Sequence, residues 1–255
     1  TERVRRLGAI TLTATPGSPP GQQEVADAVV ERVRTEGAGA GLAALPWDEE
    51  ARSLRARLAL LHEHLGEPWP DMSDAALAKR AEEWLAPAVM SLVGQAGSRG
   101  SSGAAASSAG SRRFSLERLD VAQALRALLP WPQAARLDEL VPERIEVPSG
   151  SRVRVEYGAC GERPVLAVRV QECFGWEETP RVVDGRVPVL LHLLSPARRP
   201  VAVTDDLRSF WAGPYQQVRR EMRGRYPKHA WPEDPRRPGR PEGSSPARCS
   251  PRSSA

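Results

Sequence analysis

A chain of 255 residues with 40% hydrophobic composition can bury one large core or two modest ones. Its three cysteines, Cys160, Cys173 and Cys249, are odd in number and far apart, which excludes a disulfide framework or a zinc knuckle, and no stretch has the apolar length of a membrane span. The formal net charge of +4 is uneven: residues 1–96 carry 10 basic and 14 acidic groups, residues 97–143 carry 6 and 5, and residues 144–255 carry 20 and 13.

The positive field therefore lies in the C-terminal half, where it attracts phosphate in a salt-dependent way. Arginine alone is a weak signal, because Lys79 and Lys228 are the only lysines and the chain is rich in Ala, Gly and Pro, a bias that GC-rich coding also produces. The opening TERVRRLGAI has no signal-peptide pattern, so a cytoplasmic chain is expected. Its start at Thr1 suits a piece of something longer.

Val4, Leu7, Ile10 and Leu12 read as a short strand, broken by ATPGSPPGQ. From Gln22 to Thr35, Val25, Val29 and Val33 recur on one helical face. The stretch GAGAGLAALPW reads as a loop. Asp48 then caps a helix with Ala51, Leu54, Leu58, Leu61 and Leu65 on one side. His62 and His64, two positions apart, point about 200 degrees apart on that helix and cannot share a metal. Ser73 caps a helix with Leu77, Ala81, Trp84 and Leu85, which is expected to stop at Pro87.

Residues 97–111, GSRGSSGAAASSAGS, are low in complexity and are expected to be a disordered insert. Ser115 is expected to cap a helix carrying Leu116, Leu119, Ala122, Leu125 and Leu129, and Pro132 to open another with Leu137, Leu140 and Val141 inward. At Glu143 the period changes to two. Ile145 and Val147, then Val153, Val155 and Tyr157, alternate with polar residues; Leu166, Val168 and Val170 continue the pattern. Asp184-Gly185 signals a hairpin before Val187 to Leu194, and Val201 to Val203 make a last strand. Five short strands suit a small barrel or twisted sheet of OB type. Thr204 or Asp205 then caps a closing helix with Leu207, Phe210 and Trp211 on its apolar face, kinked at Pro214.

The fold class is accordingly α+β. A helical region (1–96) and the insert (97–111) precede a helical hairpin (112–143). An OB-like β domain with a closing helix and an extended strap follows (144–235), and then a disordered tail (236–255) rich in Pro, Ser and Arg.

A phosphate-binding loop needs G-x-x-x-x-G-K-S/T, and neither Lys79 after Ala78 nor Lys228 after Pro227 can belong to one. The pairs Asp48-Glu49 and Asp138-Glu139 read as solvated charges. Ser149 and Ser151 lack the nucleophile-elbow pattern and read as a turn. No catalytic or metal-binding residue is assigned. Trp47, Trp69, Trp131 and Trp231 each adjoin a proline, where rings usually lock a helix end onto a core.

The segment Arg219 to Pro235, RREMRGRYPKHAWPEDP, sets cations beside rings on a proline-stiffened backbone, which suits a polyanion carrying bases. A plain surface strap held down by its rings suits it equally. On the strands, Arg152 and Arg154 share a polar face and Arg198 and Arg199 occupy a turn, positions that line a groove for single strands on an OB-like barrel. The residues singled out for nucleic-acid contact are Arg152, Arg154, Arg198, Arg199, Arg219, Arg220, Arg225, Lys228 and Trp231.

The run from Leu194 to Pro235, LSPARRPVAVTDDLRSFWAGPYQQVRREMRGRYPKHAWPEDP, closely resembles the C-terminal signature of HrpB-type bacterial ATP-dependent helicases of the DEAH/RHA class. VPSGSRVRVEY, VLAVRVQECFG, TPRVVDGRVPVLLHLLSP and, upstream, GEPWPDMSD and LDVAQALRALLPW also look like family segments. The resemblance implies a helicase whose two RecA-like ATPase domains lie upstream, with ATP and Mg bound there and no cofactor in this chain. It further implies an accessory part that contacts single-stranded RNA and packs against the motor. A module that docks on the motor or on another protein, without binding RNA, is the alternative. The low-complexity insert and the tail depart from the family pattern.

Overall fold

The computed structural model describes residues 2–7, 10–16, 21–36, 38–98, 115–158 and 162–237. The chain divides into two compact units, Thr1–Val141 with Tyr157–Glu162, and Pro142–Glu156 with Arg163–Ala255. Residues 99–111 of the expected insert and 238–255 of the expected tail lie outside the described residues, whereas Gly97 and Ser98 end a helix, and Arg236 pairs with Asp234 in a turn.

The first unit opens with an antiparallel ladder of β1 (Glu2–Leu7) and β2 (Ile10–Pro16), where the sequence suggested a single strand. In α1 (Gln22–Thr35) the buried face is Ala26, Val30 and Val33. That face is turned from the expected one, because the helix meets the helical segments Ala38–Ala43 and Ala81–Ser98 together. The glycine-rich stretch read as a loop forms α2 (Ala38–Ala43) and buries Leu42 and, beyond it, Leu45. Its approach to α1 depends on Gly41, where a Cβ would stand 2.7 Å from the Val33 Cα and 2.9 Å from its carbonyl oxygen. Those atoms are backbone and cannot swing aside. Gly41→Ala should therefore separate the helices and cost about 1–3 kcal/mol, as other overpacked sites do, read as a lowered denaturant midpoint.

α3 (Glu49–Leu65) starts as its sequence requires: the Asp48 carboxylate accepts from the Ala51 N–H at 2.7 Å. Ala51, Leu54, Leu58 and Leu61 form the buried stripe. The next expected helix is two. Ser73 caps α4 (Asp74–Lys79), and α5 (Ala81–Ser98) runs through Pro87 instead of stopping there. Pro87 removes the bond to the Glu83 carbonyl, but both residues are exposed, where solvent serves the leftover acceptor. Burial of Trp84, Leu85, Ala86 and Val89 on the other face carries the helix onward. Ser115 opens only a 3-10 turn, Leu116–Arg118; Asp120 caps α6 (Val121–Arg126), accepting from the Gln123 N–H at 2.7 Å. In α7 (Trp131–Leu140) Pro132 lies in the first turn, and Leu137, Leu140 and Val141 are buried as expected.

The second unit begins with a hairpin of β3 (Arg144–Glu146) and β4 (Arg152–Arg154), closed by the bond from Gly150 N–H to the Val147 carbonyl. β5 (Val165–Arg169) leads into a 3-10 turn, Val170–Cys173; β6 (Arg181–Val182) and β7 (Val187–Pro188) form a two-residue ladder around the Asp184-Gly185 turn. In that turn Val183, Asp184 and Gly185 all have positive φ. β8 (Leu190–Leu194) pairs parallel to β5 and antiparallel to β9 (Pro200–Thr204).

Among the described residues these strands make a three-stranded sheet and short two-stranded ladders, not a closed barrel of OB type. Alternation correctly marked which side chains face inward, with Leu166, Val168, Leu191 and Leu193 all buried. It carries no information on which strand lies beside which, and the parallel β5–β8 pair was not legible from it. The α+β class itself holds.

The closing helix is also two elements. Asp206, not Thr204 or Asp205, caps α8 (Leu207–Ala212), accepting from the Ser209 N–H at 3.0 Å. Thr204 Oγ1 instead takes the Asp206 N–H, and Asp205 pairs with Arg163. Gly213 breaks the chain, and Pro214 starts α9 (Pro214–Arg225).

Candidate nucleic-acid interface

α9 turns Tyr215 and Met222 inward, and beyond Tyr226 the strap folds back along it. Three side chains on one side of the helix hold it. Tyr215 Oη donates to the Pro232 carbonyl at 2.9 Å, Gln216 Nε2 to the Glu233 carbonyl at 3.1 Å, and Arg219 Nε to the Trp231 carbonyl at 2.9 Å. Arg219 also reaches the Glu233 carboxylate at 3.2 Å. At the far end the Pro235 carbonyl accepts from the Gly175 N–H. Prolines supply no N–H, so a strap rich in them is held through its carbonyls.

Trp231 is buried, 7% exposed, and its Nε1–H donates to the Tyr226 carbonyl at 3.1 Å. Its ring meets Phe174 edge-on at 6.4 Å, and Phe174 continues the cluster to Trp211 and Tyr215. Burial pushes the Tyr215 phenol above its ordinary range. Of the residues singled out in the sequence, Arg219 and Trp231 therefore build the strap, and neither the Arg219 fork nor the Trp231 face is left open.

The remaining cations are exposed. Arg220, Arg223 and Arg225 project from the last turns of α9, with Arg225 only loosely paired to Glu221 at 3.8 Å, and Lys228 and His229 follow on the strap. The His229 ring stands edge-on to Tyr226, 6.2 Å away. Arg152 and Arg154 are exposed on the β3–β4 hairpin, as expected, and the register sets Arg144 directly opposite Arg154. Like charges opposite one another destabilise a ladder unless an anion or carboxylate sits among them. Arg198 and Arg199 are exposed at the β8–β9 turn, where Ser195 Oγ accepts from the Arg199 N–H and Arg198 has a φ of 59°.

Arg144 and Arg223 are the additions that geometry makes to the sequence list. Continuing the period-two pattern one residue back would have found Arg144. The buried Cys173 thiol is pushed up by desolvation and is inert. Among the described residues no group of three His, Cys, Asp or Glu side chains is placed to hold a metal ion, and no helix is long and apolar enough to cross a membrane.

A β unit closed by a carbonyl-clamped strap, following a helical unit, defines the class: the chain belongs to the ATP-dependent helicase C-terminal family of HrpB type, whose model matches residues 105–235. The YPKHAWPEDP signature that suggested this family is the strap itself. The chain is 40% identical over 234 residues to the ATP-dependent RNA helicase HrpB of Escherichia coli strain K12, covering 91% of this chain and 26% of that protein. It is similar to the crystal structure of the E. coli DExH-box NTPase HrpB, with TM-score 0.72 and 39% identity over 92% of this chain and 26% of the other. A second E. coli structure, described as the DEAH/RHA helicase HrpB, gives 0.64 and 36% over 90% and 26%. The chain thus spans about a quarter of the length of the relatives it matches.

Proposed function

We propose that this chain is the accessory, nucleic-acid-binding part of an ATP-dependent RNA helicase, with its RecA-like motor domains, ATP and Mg upstream and no catalytic step of its own. The observation that carries the reading is the division of the basic segment. Arg219 and Trp231 are used up inside the strap, while Arg220, Arg223, Arg225 and Lys228 remain exposed within a few residues of each other. Those cations serve as phosphate contacts, and the Arg152, Arg154 and Arg198, Arg199 pairs extend the positive surface of the same unit. The partner is single-stranded RNA, met mainly through its backbone by these cations.

Fluorescence-anisotropy titration of the chain with labelled single-stranded RNA at low and moderate salt tests this. Each phosphate contact lowers log affinity by about 0.7 per tenfold rise in salt. Arg220→Ala with Lys228→Ala should reduce that slope by about 1.4, for two contacts, and weaken binding. Absence of binding at low salt by a folded chain would transfer the basic surface to protein docking.

A further inference from the structure

The first unit contains a cavity of about 880 Å³, a volume in the range of specific ligand sites. One side of α3 forms its floor, with Ala56, Ala59 and His62 along it; Leu42, Trp47 and Met72 supply apolar walls. The polar groups that line it are mostly engaged. Arg55 donates through Nε and Nη2 to the Met72 carbonyl at 2.9 and 2.8 Å, pairs with Asp74 at 2.5 Å, and lies over the Trp47 ring at 5.3 Å. His62 Nδ1 bonds the Trp69 carbonyl at 2.7 Å. A carbonyl only accepts, so Nδ1 carries a proton and Nε2 is left for another partner.

The charges decide what fits. Glu63, Asp71 and Asp74 line the cavity against Arg52 and Arg55, three carboxylates to two guanidiniums. The Arg55 fork is already taken, and the Ser73 N–H holds the exposed Asp71 carboxyl below the usual carboxylate range, so that it stays charged. A phosphate backbone would meet the charged Asp71 carboxylate here. A polypeptide brings the fitting complement: an apolar side chain for the floor, a backbone polar group for His62 Nε2 and a cation for Asp71. We propose that this cavity is a docking site for a partner polypeptide that inserts one bulky apolar side chain and carries a basic residue beside it.

The test is independent of RNA binding by the second unit. A random peptide library displayed on phage is selected on the 255-residue chain, and the best sequence is labelled and titrated by anisotropy. Selected peptides should pair Trp, Phe, Leu or Met with a neighbouring Arg or Lys. Ala59→Trp fills the cavity and should weaken the labelled peptide about tenfold or more, the effect of losing an anchor pocket. Ala59→Leu, a smaller filling, and Asp71→Asn, which keeps the contact to Ser73, should each weaken it several-fold with an unchanged thermal melt. The proposal is overturned if no peptide is enriched over an Ala59→Leu control, or if these variants leave peptide affinity unchanged. It is also overturned if they lower the affinity of labelled oligouridylate, which would make the cavity a nucleic-acid site.

Discussion

Trp231→Ala should destabilise the second unit by about 3–5 kcal/mol, the usual cost of truncating a buried aromatic to alanine. Three effects act together. The ring leaves a hole against Phe174, the Tyr226 carbonyl loses its indole donor, and the strap that Arg219 grips through the Trp231 carbonyl loses its anchor. The loss should appear in urea unfolding and as faster tryptic cleavage around Lys228. Lys228→Ala itself, at an exposed position, should stay within about 0.5 kcal/mol of the parent chain. On the proposed reading, stability and RNA affinity are then carried by different residues of one seventeen-residue signature. A Trp231→Ala chain of unchanged stability whose RNA affinity collapses would show that the ring stacks on a base, contrary to its burial.

That contrast also marks how far the sequence could be read. The choice between polyanion site and surface strap stayed open because composition gives the residue types along a segment but not the partner each one has taken. Arg219 and Arg220 are equivalent in sequence. One faces the returning strap and the other faces solvent, because a helix turns successive residues by about 100 degrees.

The tryptophans make the same point in reverse. Trp131, grouped with the rings that lock helix ends, is 84% exposed, while Trp231, kept for function, is buried. Adjacency to proline predicted burial for Trp69 and Trp231 but not for Trp131. Local signals succeeded where the chemistry is local: Asp48 as a cap, Pro132 in a first turn, Asp184-Gly185 in a tight turn. They failed where a neighbour distant in sequence decides, as with α2 held against α1 through Gly41, Pro87 carried inside α5, and the parallel β5–β8 pair. The cavity of the first unit was invisible for the same reason. Its walls come from α2, α3, the approach to α4 and Tyr157, and no motif joins them.

Arg57→Ala should be strongly damaging in the first unit, about 2–5 kcal/mol, the range for truncating a large buried side chain to alanine. Arg57 lies on the inward side of α3 and is 2% exposed. Its Nε donates to the Val141 carbonyl at 2.7 Å, and its Nη2 pairs with Asp138 on α7. Val141 is itself fully buried, so truncation leaves an acceptor with no donor and a cavity at once.

The exposure of Asp138, 84%, predicts an asymmetry between the two partners. Asp138→Ala leaves the buried Arg57 cation its bond to the Val141 carbonyl but no carboxylate, and should cost less than Arg57→Ala, which loses the packing as well. Arg57→Met separates volume from charge. It refills the space but not the donor, and should recover about half of the loss if packing and the orphaned carbonyl contribute comparably. Urea unfolding of the three variants decides the matter. Equal losses for Arg57→Ala and Asp138→Ala would mean that the ion pair, and not the bond to the end of α7, holds these helices together.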